Sequence, residues 1–289
     1  MFRPLIIAVL LVTTAPTIAR PTSATSSPEV IFTLTSRSGT YDLRVANEDG
    51  TGAASLFKGN SQLNGKFGPR ADRTIAFWNG GNLTLLTYDA TSTGVRTTGT
   101  RVLLNSGRNF ASPFDFSGRD IAWWHPETGD LHNYNLASGT DSILFNVPQS
   151  SSVSFNPDGT AIFYSEAIGS TDYVMRRIPI TGGSPTDVGI TGHIMLFDTG
   201  HQSDKFVVSY QVTGVGPHLD YIPAGATSGT TFGNGYGGAF RCDDRVIIFR
   251  HPTGNNSSNT LKYDVQTNTT STFSSDNNVV FASYMPTCN

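Results

Sequence analysis

The chain has 289 residues, enough to bury a large core, with 37% hydrophobic and 14% charged residues, a formal charge of −3 and a pI near 6.0. Both shares lie below those of an average globular chain, and Ser, Thr, Asn and Gly fill the difference, the profile of short strands joined by many polar turns. A charge this small and slightly negative sets up no basic field for phosphate backbones or anionic lipid, so nucleic acid is not an expected partner.

Met1 to Ala19 carries one early cation, Arg3, then the apolar run Leu5 to Val12, then small residues up to Thr17-Ile18-Ala19. This is the layout of a secretory signal peptide over residues 1–19, too short to serve as a mature membrane anchor. Residues 20–28 are rich in Thr, Ser and Pro and read as a disordered lead-in. Residues 29–289 are expected to form a single domain. No later stretch is long and apolar enough to cross a bilayer, so the expectation is a secreted, extracellular protein, periplasmic if its source is a Gram-negative bacterium, with no membrane insertion.

In chain order, Val30 to Leu34, Tyr41 to Ala46 and Ala54 to Phe57 read as three strands without a preceding partner. Glu48-Asp49-Gly50 between them is a turn signal; the alternating ligands of a calcium loop are missing there. A second group opens at Phe67 and continues through Thr74 to Trp78, Leu83 to Tyr88 and Arg101 to Leu104. The third opens at Phe114, with Ile121 to Trp124, Leu131 to Leu136 and Ser142 to Phe145. The fourth is the sharpest: Val153 to Ser165 is an alternating run, the turn Asn156-Pro157-Asp158-Gly159, and a second apolar run. Proline pre-sets φ, aspartate can bond its own backbone and glycine takes positive φ, so the two runs fold back as an antiparallel hairpin. Tyr173 to Ile180 and a weak strand at Thr186 to Ile190 complete it.

The fifth group opens at Phe197, with Phe206 to Val212, Leu219 to Ile222 and a faint strand at Thr230 to Phe232; the sixth opens at Phe240, with Val246 to Arg250, Leu261 to Val265 and Thr270 to Phe273. Val279 to Tyr284 then stands alone. The marker phenylalanines, Phe67, Phe114, Phe155, Phe197, Phe240 and Phe281, are separated by 47, 41, 42, 43 and 41 residues. A period of this size with several strands in each is the signature of a β-propeller with one blade per period. The incomplete first group and the orphan last strand complement one another. The expected fold is all-β, a six-bladed propeller of four-stranded blades whose ring is closed when the C-terminal strand joins the N-terminal blade; seven blades is the alternative if the long fifth period hides another. Closure removes the free sheet edges that invite aggregation. The phenylalanines are expected to pack between neighbouring sheets. The residues after them, Gly68, Asp115, Asn156, Asp198, Arg241 and Ala282, are of mixed polarity and suit a water-filled central channel.

The motif NPDGTAIFYS at Asn156 to Ser165, with the looser forms SGRDIAWW at Ser117 to Trp124 and CDDRVIIF at Cys242 to Phe249, resembles the TolB-type, WD-repeat-like propeller repeats, whose blades carry a Ser-Pro-Asp-Gly turn. That family includes the propeller of TolB, gating propellers of prolyl-oligopeptidase-like enzymes and extracellular binding proteins, so the resemblance implies an architecture and leaves the activity open. A nucleophile elbow and an α/β hydrolase domain are both missing from the sequence.

Propellers bind where the loops before each first strand and between second and third strands gather at the channel mouth. Arg37, His125, Glu127, Glu166, His218, Arg250 and His251 fall on those loops and are the candidate ligand contacts; a merely solvated face is the plain alternative for each. The function read from this is a secreted, non-catalytic binding module for a glycan or protein, expected to be a monomer and to need no cofactor. An extracellular polysaccharide lyase or hydrolase built on a propeller is the alternative, and it requires histidine, arginine and acids converging at one mouth. The histidines have no helical metal spacing, so no metal is expected. In an oxidising compartment Cys242 and Cys288 are expected to pair as a disulfide. Asn82, Asn255, Asn256 and Asn268 head glycosylation sequons, usable only along a eukaryotic secretory route.

Overall fold

The computed structural model describes residues 30–36, 38–68, 72–91, 94–105, 113–254, 257–274 and 278–284. The expected leader and lead-in, Arg37, Asn255, Asn256 and Cys288 lie outside the described residues. Among the described residues, twenty-four strands follow one another in six sheets of four. The incomplete N-terminal group supplies β1 (Val30–Thr35), β2 (Tyr41–Ala46) and β3 (Ala54–Gly59). The second blade is β4 (Leu63–Phe67), β5 (Thr74–Asn79), β6 (Asn82–Thr91) and β7 (Gly94–Asn105); the third is β8 (Phe114–Phe116), β9 (Asp120–Trp124), β10 (Asp130–Asn135) and β11 (Thr140–Asn146). The fourth holds β12 (Val153–Phe155), β13 (Ala161–Ala167), β14 (Tyr173–Pro179) and β15 (Thr186–Gly192), and the fifth β16 (Ile194–Thr199), β17 (Phe206–Val212), β18 (Gly216–Ile222) and β19 (Thr230–Asn234). The sixth is β20 (Tyr236–Phe240), β21 (Val246–Gly254), β22 (Ser257–Asp264) and β23 (Thr269–Ser274), and β24 (Val279–Tyr284) ends the series.

Every pairing is antiparallel, and β24 lies beside β1 with Val30 opposite Tyr284, Ile31 opposite Ser283 and Phe32 opposite Ala282. The last strand therefore completes the first blade in the order β24-β1-β2-β3, and the ring has six blades, not seven. The fifth period holds only the four strands of one blade, including the faint β19. No helix of the described residues is long and apolar enough to cross a membrane.

The hairpin turns form by local chemistry. At Asn156-Pro157-Asp158-Gly159, Gly159 sits at φ 67°, its N–H donates to the Asn156 carbonyl at 2.9 Å, and Asp158 accepts from the Thr160 N–H at 3.0 Å and the Thr160 hydroxyl at 2.5 Å. A Cβ at that φ would be strained, which is why the position is glycine. Asp49-Gly50-Thr51 repeats the arrangement, with Asp49 accepting from the Thr51 N–H at 2.9 Å and Thr51 hydroxyl at 2.6 Å, so this acidic pair makes a turn.

Six apolar clusters fill the spaces between consecutive blades, since each sheet has two apolar faces to bury. Ile31, Leu43 and Val45 of the first blade meet Phe67, Ile75 and Phe77 of the second. Trp78 of the second meets Phe114 and Trp123 of the third, with ring centroids 6.3 and 6.0 Å away. Phe155, Phe197 and Phe240 stand in the clusters before their own blades, and Val246 and Ile248 meet Val30, Phe32 and Tyr284 across the closure. Five of the six marker phenylalanines thus pack between sheets as expected; the side chain of Phe281 is not among those described.

Candidate functional site

The inner strands β4, β8, β12, β16, β20 and β24 surround the channel. Strand pairing puts Lys66 opposite Ala76, Asp115 opposite Ala122 and Asp198 opposite Val207, which is the same place in three blades. Lys66 Nζ lies 3.0 Å from Asp198 Oδ1 and 3.6 Å from Asp115 Oδ1. Each acid also ties its blade to the next: Asp115 Oδ2 accepts from the Phe155 N–H at 2.8 Å and the Ser154 hydroxyl at 3.2 Å, and Asp198 Oδ2 from the Phe240 N–H at 3.1 Å. Burial disfavours the Lys66 charge, but the two carboxylates outweigh it and hold its pKa above the ordinary lysine value, so it is an ammonium at any working pH.

This ion cluster divides the channel. A chamber of about 390 Å³ opens at the end where the inner strands begin, another of about 400 Å³ opens where they finish, and Lys66 and Asp198 line both. The strand-start chamber is walled mainly by apolar groups, among them Phe114, Val153, Leu196, Phe197, Phe249 and Val279, with Arg250 the cation near its rim. Arg250 stacks over Tyr236, 5.3 Å from the ring centroid, and its Nε donates to Ser258 Oγ at 2.6 Å.

The same mouth is irregular on one side. Register shifts fall between Ile194 and Leu196 in β16, between Tyr236 and Ala239 in β20, and opposite Thr33 and Leu34 in β24, all near the starts of inner strands. Inner strands β4, β8 and β12 pair without a shift. Bulges of this kind bend a strand and re-aim its side chains. Leu196, just past the β16 bulge, is 41% exposed in the chamber. In β20, Gly237 takes φ 69° and donates its N–H to Ser209 Oγ at 3.0 Å, while a Cβ on Gly238 would lie 2.5 Å from Val207 Cγ2. The loops after β13 and β17 on this end add Ile168 and Val215, 59% and 71% exposed.

Among solved structures, TolB from Acinetobacter baumannii superposes with a TM-score of 0.75 at 14% identity, covering 90% of this chain and 67% of that one. A structure assigned as TolB from Agrobacterium tumefaciens gives 0.59 at 11% identity, covering 90% and 100%. A chain of a nidogen/laminin complex gives 0.63 at 10% identity, covering 91% and 100%. The chain has the fold of a six-bladed β-propeller, similar to that of TolB. At these identities the likeness is one of fold. No family model and no curated protein matches the sequence.

The sequence-predicted contacts that fall among the described residues lie at the strand-start end but do not gather. Of them, Arg250 lines the chamber. His125 Nδ1 accepts from the Glu127 and Thr128 N–H groups at 3.3 and 3.4 Å, closing its own turn, with Glu127 exposed on it. Glu166 Oε2 accepts from Arg176 Nε at 2.9 Å within the fourth blade. His218 stacks on Tyr210 at 5.3 Å, whose hydroxyl burial and Asp220 push up to about 12, and His218 Nε2 is 3.7 Å from Asp220. His251 Nδ1 is 2.7 Å from the Asn234 carbonyl oxygen. Among the described residues no three His, Cys, Asp or Glu side chains are placed to hold a metal ion.

Of the residues after the marker phenylalanines, Asp115, Asn156, Asp198 and Ala282 line a chamber, whereas Arg241 pairs with Glu48 at 2.7 Å and Asp243 at 2.6 Å, and a Cβ on Gly68 would press on Phe116 at 2.7 Å. The markers do not share one register: Phe67 is opposite Ile75, but Phe114 is opposite Trp123, and it is Phe116 that faces Ile121. Aligning the second strands, instead of the phenylalanines, puts Lys66 level with Asp115 and Asp198. That alignment is the sequence signal for Lys66. Asn82 is half-buried at the start of β6; Asn268 is exposed at φ 53° and accepts from the Tyr263 hydroxyl at 3.0 Å. The described residues include no free cysteine.

Proposed function

We propose that the protein is an exported binding module whose strand-start chamber takes an apolar segment of a partner protein, with Arg250 meeting a carboxylate on it. The observation that carries this reading is the bulged, apolar mouth: Leu196 re-aimed into the chamber, with Ile168 and Val215 exposed on the neighbouring loops. Apolar side chains gathered around a concave opening are the usual mark of a protein-binding surface, whereas scattered ones need no explanation. The floor is rigid, because Lys66 and the two aspartates tie three blades together, so a ligand meets a preformed site and loses little affinity to ordering it. That one of the similar folds occurs in a nidogen/laminin complex agrees with a protein partner. The lyase reading needs a base beside an arginine at one mouth; instead His125 closes its own turn, His218 lies against Tyr210 and Asp220 of its own blade, and His251 is bound to the Asn234 carbonyl of the preceding blade.

A displayed random-peptide library panned on the protein tests this. Selected peptides should combine apolar residues with a carboxylate, and Leu196→Asp should weaken them at least about tenfold, the factor that corresponds to about 1.4 kcal/mol. Peptides indifferent to both Leu196→Asp and Arg250→Ala would overturn the reading, and a glycan array that binds in an Arg250-dependent way would replace it with a saccharide ligand.

A further inference from the structure

The strand-end chamber has a different chemistry. Its floor is the Lys66 ammonium between Asp115 and Asp198, its walls carry Ser117, Asn156, Thr199 and Ser283, and Phe67, Phe116, Phe155 and Tyr284 line it as well. Several of its polar groups are already committed: Asn156 to its own turn, Arg119 to Asp120 at 2.7 Å, and His201 Nε2 to the Phe240 carbonyl at 3.1 Å. Thr199 is different. It is 2% exposed, and its hydroxyl is buried with no hydrogen-bond partner. An unmet buried hydroxyl costs stability unless something outside the protein satisfies it. On the floor, Lys66 donates to Asp198 Oδ1 at 3.0 Å and stands 3.6 Å from Asp115 Oδ1, an ion-pair distance too long for a good hydrogen bond, so a donor and an acceptor remain side by side.

We infer that this chamber is a second binding site, for a neutral saccharide of one or two rings. An anion would face Asp115, Asp158 and Asp198 with Lys66 already paired. A cation would have to displace the Lys66 ammonium from between its two acids. A neutral polyol fits both: each of its hydroxyls donates and accepts, matching the Asp115 oxygen, the Lys66 N–H and the Thr199 hydroxyl, and the apolar C–H faces of its ring suit the aromatic wall. The volume, about 400 Å³, is that of a small-molecule site. The site is independent of the protein-binding mouth, because the ion cluster stands between them.

Titration calorimetry of the full-length protein with glucose, galactose, N-acetylglucosamine and maltose tests it. At least one should bind saturably. Thr199→Val, which keeps the side-chain shape and removes the unmet hydroxyl, should weaken that binding about fivefold, the worth of a single neutral hydrogen bond, while the melting temperature stays level or rises. Arg250→Ala should leave it unchanged. No saturable binding of any of the four, or binding that Thr199→Val does not alter, overturns the inference. Peptide binding at the other mouth is measured separately, so the two readings fail separately.

Discussion

Lys66 is the residue whose loss should be felt furthest. Its side chain is 17% exposed and that of Asp198 only 7%, and removing one partner of a buried pair leaves the other charge uncompensated. Lys66→Met should cost about 3 kcal/mol or more, read from urea unfolding, and adding Asp198→Asn should recover part of the loss; strict additivity of the two would show that the pair is not coupled. The turn carboxylates set the acid limit. Hydrogen bonds from Thr160 hold Asp158 below the ordinary aspartate pKa and those from Thr128 and Asn146 hold down Asp130; at Asp243 burial pulls upward, but Arg241 and the Arg245 N–H more than offset it. A carboxylate depressed in the fold stabilises above its unfolded pKa of about 3.9, and that contribution disappears as pH falls through the folded value. Asp204, which burial pushes up, acts in the opposite sense. The melting temperature should therefore hold from neutral pH to about 4 and fall below it. A steep loss already between about pH 7 and 5 would point to histidines instead.

Among the elements, β20 shows how sequence shapes the mouth. Its Tyr-Gly-Gly-Ala-Phe run cannot hold a regular ladder, because Gly237 adopts a left-handed φ and Gly238 lies against Val207 with no room for a side chain. Gly238→Ala should force β20 away from β17 and cost about 1–3 kcal/mol, as overpacking usually does. Thermal unfolding measures that cost. Peptide affinity at the mouth should fall with it, because Gly238 lines the chamber. Undiminished stability in the alanine variant would mean that β20 has more freedom than its packing implies.

For the molecule as a whole, stability depends on closing the ring. Removing residues 279–289 would expose the β1 edge and open the cluster of Val30, Phe32, Val246 and Ile248. The truncated protein should be insoluble or aggregate on refolding, and a monomeric, cooperatively folding truncation would show that the first blade is stable with three strands. The Cys242–Cys288 bridge would act on the same closure. By chain entropy it should contribute about 3 to 4 kcal/mol, and mass spectrometry without reduction should find one cross-linked pair; two alkylatable thiols would end the idea.

Blade number, strand order and the closing strand could all be read from the sequence, because they depend on period-two patterning and on turns such as Asn156-Pro157-Asp158-Gly159, whose conformation is set within four residues. Val279 to Tyr284 was recognisable as the missing strand because it has the pattern of an inner strand and the N-terminal group lacks one. The channel was less legible. Lys66 meets Asp198 across 132 positions of chain, and a phenylalanine-based alignment hides their equivalence because Phe114 and Phe67 occupy different registers. Of the candidate histidines only His125 sits on a turn; His218 lies in β18 and His251 in β21, and whether such side chains converge depends on the partners each finds nearby, His125 in its own turn and His251 at the Asn234 carbonyl of the preceding blade. Local sequence determined the blades because short-range backbone preferences and burial patterns recur in every repeat; only the closed ring decided the site, because its groups come from different blades and are brought together by the packing between sheets.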